Sequence, residues 1–428
     1  MKNEARCYRS ADILLPDLSR VDAAKWAVVA CDQFTSEPEY WHATEEFIGD
    51  APSTLSMILP EVYLSQTERR LPLINNAMKE YARSLLLTHK DAMIYVERTQ
   101  SDGSIRRGVV LAVDLEQYDY KKGAASMIRA TEATVLERIP PRVAIRRGAS
   151  VELPHVMLLI DDPERTVIEP LSFEGKGKVA YDTELMLRGG HIRGRFLDAE
   201  EQSRIAEALD GLTTPEKMSA RYGSESLAPL LFAVGDGNHS LASAKATYEE
   251  VKERIGKDAA ASHPARYALA EVVNIHDEAL RFEPIYRVLF DVDPEEVLAS
   301  LSDYLAALKG DADPQEMTFV HKNGEGELKV STPVRQLTVG TLQDFIDDYL
   351  RSHTGATVDY IHNEDSLRAL AVKDNAIGFL FSGMAKDQLF KTVIFDGALP
   401  RKTFSMGHAE DKRYYMECRR ITTEGKDN

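Results

Sequence analysis

Cysteine is scarce in this chain: three in 428 residues, Cys7, Cys31 and Cys418. An odd number at such distant positions excludes a disulfide framework and a Cys-x-x-Cys metal knuckle, so the thiols are read as reduced. Basic charge is short as well. Lys and Arg number 52 against 69 Asp and Glu, a formal net charge of −17. Such a surface repels DNA and RNA, which excludes a nucleic-acid role without a strong local basic face. No apolar run is long enough to cross a membrane, and Met1-Lys2-Asn3-Glu4-Ala5-Arg6 leads into no secretory segment. A soluble cytoplasmic protein without nucleic-acid or membrane partners is expected. Familiar signatures are missing too. Gly175-Lys176-Gly177-Lys178 lacks the phosphate-loop spacing, and there is no His-Glu-x-x-His helix and no Gly-x-Ser-x-Gly elbow.

What the chain does have is the composition of a folded protein, 43% hydrophobic and 28% charged, at a length that suits two or three domains. Ile74, Met78, Tyr81 and Leu85 share one helical face, which predicts a helix over about Thr67 to Thr88. Glu37 to Phe47 reads as another helix. Ala92 to Thr99 and Ile105 to Leu115 alternate as strands about the turn signal Asp102-Gly103. Trp26 to Cys31, His155 to Ile160 and Arg266 to Ile275 read as further strands. Asp198 with Glu201 forms a capping box. Past Ile285 the pattern is self-contained, with a helix after Asp293-Pro294, a hairpin around Asn323-Gly324 and a strand over Ala376 to Phe381. This irregular alternation predicts an α+β (mixed α/β) fold. A main domain is expected over 1–284 and a smaller C-terminal α+β domain over 285–428, with a frayed tail over 421–428.

The most informative stretch is an apolar run, Pro229 to Val234, that enters Gly235-Asp236-Gly237-Asn238-His239-Ser240 and then an amphipathic helix. Strand, glycine turn and helix aim backbone N–H groups at one point, where phosphate or carboxylate binds. Asp236 and His239 add metal-binding or acid–base chemistry. The plain alternative is an ordinary turn and N-cap. Ser240 stands where a dinucleotide fingerprint needs its last glycine.

Other candidates surround it. Arg129, Arg138, Arg142, Arg146 and Arg147 form a basic island against Glu132 and Glu137. Guanidinium forks bind phosphate in pairs of hydrogen bonds; a solvated helix face competes with that reading. Arg188-Gly189-Gly190-His191-Ile192-Arg193-Gly194-Arg195 reads as a mobile loop, either plain or able to fold over an anion. Asp32-Gln33 ends the first apolar run, either at a site mouth or at a turn. Asp291-Val292-Asp293 follows an apolar run as in haloacid-dehalogenase phosphatases, but Glu295 stands where Thr or Val is wanted, and Asp293 is read as an N-cap.

Four motifs in order give the chain a resemblance over nearly its whole length. They are Trp26-Ala27-Val28-Val29-Ala30-Cys31-Asp32-Gln33-Phe34, Arg129-Ala130-Thr131-Glu132-Ala133-Thr134, Gly235-Asp236-Gly237-Asn238-His239-Ser240 and Leu399-Pro400-Arg401-Lys402-Thr403-Phe404. The chain resembles the bacterial and archaeal domain-of-unknown-function family 1015. Its turn, usually Asp-Gly-His-His-Arg, is similar to the Asp-Gly-x-x-Arg turn of free serine kinases in the ParB/sulfiredoxin superfamily. The resemblance implies a ParB/sulfiredoxin-like core sheet with flanking helices. It also implies a phosphate and metal corner at Asp236, Gly237, Asn238 and His239, with Mg²⁺ on Asp236 and ADP or ATP as donor. Ser240 replaces the family Arg and Asn238 the first His, which removes one fixed positive charge.

The function expected is phosphoryl transfer on a small anionic metabolite, of the serine and phosphoserine kind. Backbone N–H groups from Gly237 to Ser240 would hold the phosphate, and Arg129 and Arg138 would spread its charge, with Thr131 and Lys402 as further contacts. Asp32 or Glu132 would accept the hydroxyl proton, and His239 would protonate the leaving oxygen. Two alternatives stay open: a phosphoserine phosphatase, and a non-catalytic binder of a phosphorylated metabolite.

Overall fold

Two neighbouring strands show why this sequence needs two cores. Along β2 (Ile94–Thr99) and β3 (Ile105–Asp114) successive side chains point to opposite faces of the sheet. Ile94, Val96, Val110 and Ala112 enter one core with Trp26, Trp41 and Met78. Tyr95, Val109, Leu111 and Val113 enter the other with Leu158, Phe232, Leu209 and Leu241. The computed structural model describes residues 6–132, 139–224 and 226–423. They form a mixed α/β fold in two units, the first made of the described residues within 6–130, 139–280 and 408–423, the second of 131–132 and 281–407.

The sheet of the first unit also contains β1 (Tyr8–Arg9), β4 (Tyr118–Asp119), β5 (Ile128–Ala130), β6 (Met157–Ile160), β7 (Val179–Glu184), β8 (His191–Phe196), β9 (Phe232–Asp236) and β10 (Tyr267–Asn274). Its order is β7-β8-β2-β3-β10-β6-β9-β5-β4, with β1 beside β3. β10 is parallel to β6, β9 to β5 and β4 to β5; β9 is antiparallel to β6. Burial on both faces explains the unbroken apolar runs of β6 and β9. The main helices are α1 (Thr67–Ser84), α2 (Ile139–Arg147), α3 (Ala199–Leu212) and α4 (Asn238–Ile255). α1 stops before Thr88 because Leu86–Ala92 leaves as a strand along Ala11–Pro16. α3 starts on the expected capping box: Asp198 Oδ1 accepts the Glu201 N–H at 2.9 Å, and Glu201 Oε2 accepts the Asp198 N–H at 3.2 Å. Asp198→Ala should therefore lower the unfolding free energy by about 1 kcal/mol in a urea titration; an unmoved midpoint would show that the box contributes nothing.

The chain end departs from the sequence reading, which groups 285–428 together. From His408 the chain returns to the first unit. Leu14 and Cys418 exchange backbone hydrogen bonds, Ala30 N donates to Arg413 O, and Tyr415 N donates to Val28 O. Trp26 to Cys31 is therefore no strand of the main sheet. A single helical turn, Ala23–Trp26, runs into extended backbone bridged at Val29 to Tyr414. Ile421 is buried rather than frayed, and its N–H donates to Ser150 O; residues 424–428 lie outside the described residues. The physical reason is that the charges of this segment are answered inside. Arg413 Nε lies 2.8 Å from Glu271 Oε2, and its terminal nitrogens lie 3.0 and 2.9 Å from Glu417 Oε2. Arg106 approaches the other oxygen of Glu271 at 3.5 Å, and Tyr181 donates to Glu417 at 2.5 Å. All five side chains are buried.

In the second unit, β11 (Tyr286–Phe290), β12 (Gln315–His321), β13 (Gly324–Val330), β14 (Thr357–Ile361) and β15 (Ala376–Leu380) form an antiparallel sheet in the order β13-β12-β15-β11-β14. The helix Pro294–Ala307 begins on Asp293, whose Oδ1 accepts the Glu295 N–H at 3.0 Å, so this aspartate is an N-cap.

Candidate active site

Helix α4 starts where β9 ends. Asp236 closes the strand, Gly237 turns the chain at φ +81°, and Asn238 is the first helical residue. Only glycine suits this turn, because a Cβ there would stand 3.1 Å from Val156 Cα in a left-handed conformation. No side chain caps the helix. A helix start leaves N–H groups without intrahelical partners and carries the positive end of the dipole. Asp236 uses Oδ1 to accept the Gly237 N–H at 2.9 Å, and its Oδ2 lies 3.4 Å from Lys412 Nζ.

On the first turn of α4, Ser240 Oγ lies 3.2 Å from His155 Nε2. Asp32 Oδ2 stands 3.8 Å from the same nitrogen. The ring is oriented from its far side, where the Tyr415 hydroxyl lies 2.9 Å from Nδ1 and accepts the Cys31 N–H at 3.1 Å. Asn238 Oδ1 is buried and has no hydrogen-bond partner among the described residues.

Electrostatics sort these groups. Burial raises the Asp32 carboxyl, but the His155 ring when charged, the Gln33 amide and Lys412 outweigh it and hold Asp32 below the usual carboxylate range. A third of its side chain, 32%, stays open, so an ionised oxygen can meet a ligand. Burial pushes the Cys31 thiol up to about 12 and the Tyr415 hydroxyl well above its ordinary value. Cys31 is thus a neutral thiol at physiological pH rather than a nucleophile.

The structure gathers Asp32, Asp236, Gly237, Asn238 and Ser240 from the sequence-derived set. His239 is the second residue of α4, and its carbonyl accepts the Ser243 hydroxyl at 2.7 Å. The basic island is different from the sequence reading. Arg129 is buried and donates to the carbonyls of Ser126, Ala228 and Pro229, so its guanidinium is a backbone clamp. Arg142 pairs with Glu61, Arg146 with Glu152, and Arg147 with Glu250 at 2.7 Å. Arg138 lies outside the described residues. In the segment 188–195 only Arg188–Gly190 lies outside helix and strand, since His191–Phe196 is a strand and Arg193 and Arg195 pair with Glu97 and Glu201. Gly194 is there because a Cβ would meet the Tyr181 ring at 2.5 Å.

Thr131, Glu132 and Lys402 belong to the second unit. Thr131 O accepts the Leu399 N–H at 2.7 Å, and Glu132 bridges to Leu399. Lys402 Nζ stands 4.9 Å from the centre of the Tyr360 ring. The carbonyls of Arg401 and Lys402 accept hydrogen bonds from buried Arg287, which gives this motif a structural role. Sequence reasoning missed His155, Lys412 and Tyr415. A polar residue opening the apolar strand run at His155 was the one local signal.

Magnesium and a nucleotide, implied by the sequence resemblance, can be tested against these residues. Among the described residues no three His, Cys, Asp or Glu side chains gather to hold a metal ion. Magnesium takes one or two carboxylates and completes its shell with water and phosphate oxygens. Asp236 could supply one such oxygen, at Oδ2 beside Lys412.

A family model described as a protein of unknown function (DUF1015) matches residues 17–370. No curated protein matches the chain. Among solved structures, a free serine kinase in complex with AMP aligns at 10% identity, covering 73% of this chain and 91% of that chain, with a TM-score of 0.35. A conserved hypothetical protein from Pyrococcus furiosus aligns at 10% identity over 73% and 95% of the two chains, TM-score 0.33. SbnI with a C-terminal truncation, from Staphylococcus aureus, aligns at 9% identity over 74% and 90%, TM-score 0.34. Likeness at this level carries no argument about chemistry.

Proposed function

The chain belongs to the DUF1015 family of unknown function, so its chemistry rests on the site itself, and we propose that it is a phosphoryl-transfer enzyme acting at the start of α4. One observation carries this reading: an uncapped helix start with Lys412 beside Asp236 and with the ionised Asp32 beside His155. Helix N–H groups and Lys412 suit the transferring phosphate. Asn238 Oδ1, an acceptor with no donor among the described residues, suits a second donor group of the incoming molecule. Asp32 takes the proton of the incoming hydroxyl as its oxygen bonds to phosphorus and the bond to the leaving oxygen breaks. His155, held by Tyr415, steadies Ser240 and the Asp32 charge. A bound magnesium ion would neutralise charge on the phosphates, and Asp236 is the residue to hold it. Arg129 drops out of the charge-spreading role, and Lys412 takes its place.

By the resemblance of the turn, serine with ADP or ATP, and phosphoserine with water, are the first reactant pairs to try. Thermal unfolding with inorganic phosphate, ADP, ATP and O-phosphoserine in magnesium, together with phosphate release, tests the proposal. A fitting anion at a hundred times its dissociation constant should add about 2.7 kcal/mol of stability. Lys412→Met should weaken that anion several-fold. Stabilisation without turnover in any combination would make the protein a binder, and no stabilisation at all would remove the proposal.

A further inference from the structure

The phosphoryl corner accounts for one wall of a larger space. A cavity of about 450 Å³ adjoins it, and His155, Ser240 and Tyr415 line that wall. Most of the remaining lining is hydrocarbon, including Met57, Ile58, Met78, Ile145 and Leu153. Cavities of roughly 300–1,000 Å³ with apolar walls and a few polar groups at one end are the usual form of small-molecule sites. The polar groups fix orientation, and the apolar walls supply affinity.

The charges that reach this cavity decide what it can hold. Arg142, Arg146, Glu61 and Glu152 all line it, and they are bonded to one another, Arg142 to Glu61 and Arg146 to Glu152. Glu152 is held further by Arg419 at 2.7 Å and by the Leu269 N–H at 2.9 Å. The arginines and glutamates thus neutralise each other. An amino acid entering here would exchange the hydration of its ammonium and carboxylate for hydrocarbon and ions already matched, which is unfavourable. A neutral hydrocarbon body gains in proportion to the surface it removes from water.

We infer that this chamber binds the body of the acceptor, and that the body is a neutral aromatic or branched aliphatic group carrying a hydroxyl, or its phosphomonoester, at the Ser240 end. The identity of the reacting group rests on the phosphoryl-transfer reading; the occupancy of the chamber does not. Free serine, small and doubly charged, meets neither the size nor the polarity of this space.

Calorimetry on the full chain with inorganic phosphate, O-phosphoserine, phenyl phosphate and benzyl alcohol separates the two. Ile145→Trp narrows the chamber. Leu64→Glu places a charge at its wall from a residue already 39% exposed, so it disturbs little packing. Phenyl phosphate should bind about tenfold tighter than inorganic phosphate or O-phosphoserine. Both variants should lose that advantage and keep inorganic phosphate. If inorganic phosphate binds and the phenyl group adds nothing, the chamber inference is overturned and the phosphoryl corner stands. If benzyl alcohol binds the native chain but not Ile145→Trp, and phosphate binds neither, the chamber is upheld and the phosphoryl reading falls. Binding of no probe overturns both.

Discussion

Replacing Arg413 with methionine is expected to lower the unfolding free energy by about 3–5 kcal/mol. Its side chain is 2% exposed and stands between Glu271 and Glu417. Removing it leaves two buried carboxylates with Arg106 as the nearest compensating charge. Burial raises the Glu271 carboxyl, but Arg106 and Arg413 outweigh it and hold it below the ordinary glutamate range. A lowered folded pKa stabilises above the unfolded value, about 4.3 for glutamate, and that stability is lost as pH falls through the folded value. The loss in Arg413→Met should therefore be largest at neutral pH and shrink in acid, where the stranded Glu271 carboxylate takes up a proton. Urea titrations at neutral and acid pH check this, with Arg413→Lys as the milder variant that keeps the charge but not the fork. Equal midpoints for native and Arg413→Met protein at neutral pH would show that the cluster does not hold the unit together.

Asp32→Asn should reduce turnover about 10²–10⁴-fold while leaving phosphate-induced stabilisation in place, because it removes a base and not an anion contact. The pH profile carries the sign. Asp32 is held below the usual carboxylate range, so it is already ionised at neutral pH. The acid limb of kcat/KM due to this group should lie below about pH 4. Its stabilising contribution should likewise be present above that range and lost as pH falls through its folded pKa. Native-level turnover in Asp32→Asn would remove Asp32 from the mechanism.

Much of this was legible because it is local. The strand, glycine turn and helix from Phe232 to Ile255 follow from adjacent residues, as does the Asp198–Glu201 box. Asp32 was visible only as the polar end of an apolar run, and its partner His155 comes from a distant strand approach. The arginine island misled for the same reason. The sequence shows five neighbouring cations but not their partners: Glu61 and Glu250 approach from remote segments, and Glu152, only six residues after Arg146, folds back on it, so three of the five are neutralised. The glycines of 188–195 suggest mobility when read alone, whereas Gly194 makes room for an aromatic ring in a paired strand. Lys412 and Tyr415 had no local signal at all, since nothing near them in the chain shows that Ala30 pairs with the Arg413 backbone and Val28 with that of Tyr415.

The order of synthesis gives that last pairing a kinetic meaning. Residues 413–418 close the interior beside Val28, Leu14 and Glu271, yet they emerge after all of 281–407. Until then a nascent chain exposes an unfilled seam and an acidic interior short of its arginine. Such long sequence separations slow folding and leave sticky surfaces for chaperones to cover. The corner proposed for phosphoryl transfer draws Lys412 and Tyr415 from the same stretch, so a chain made only as far as residue 407 carries the Gly235–Ser240 turn without either of them.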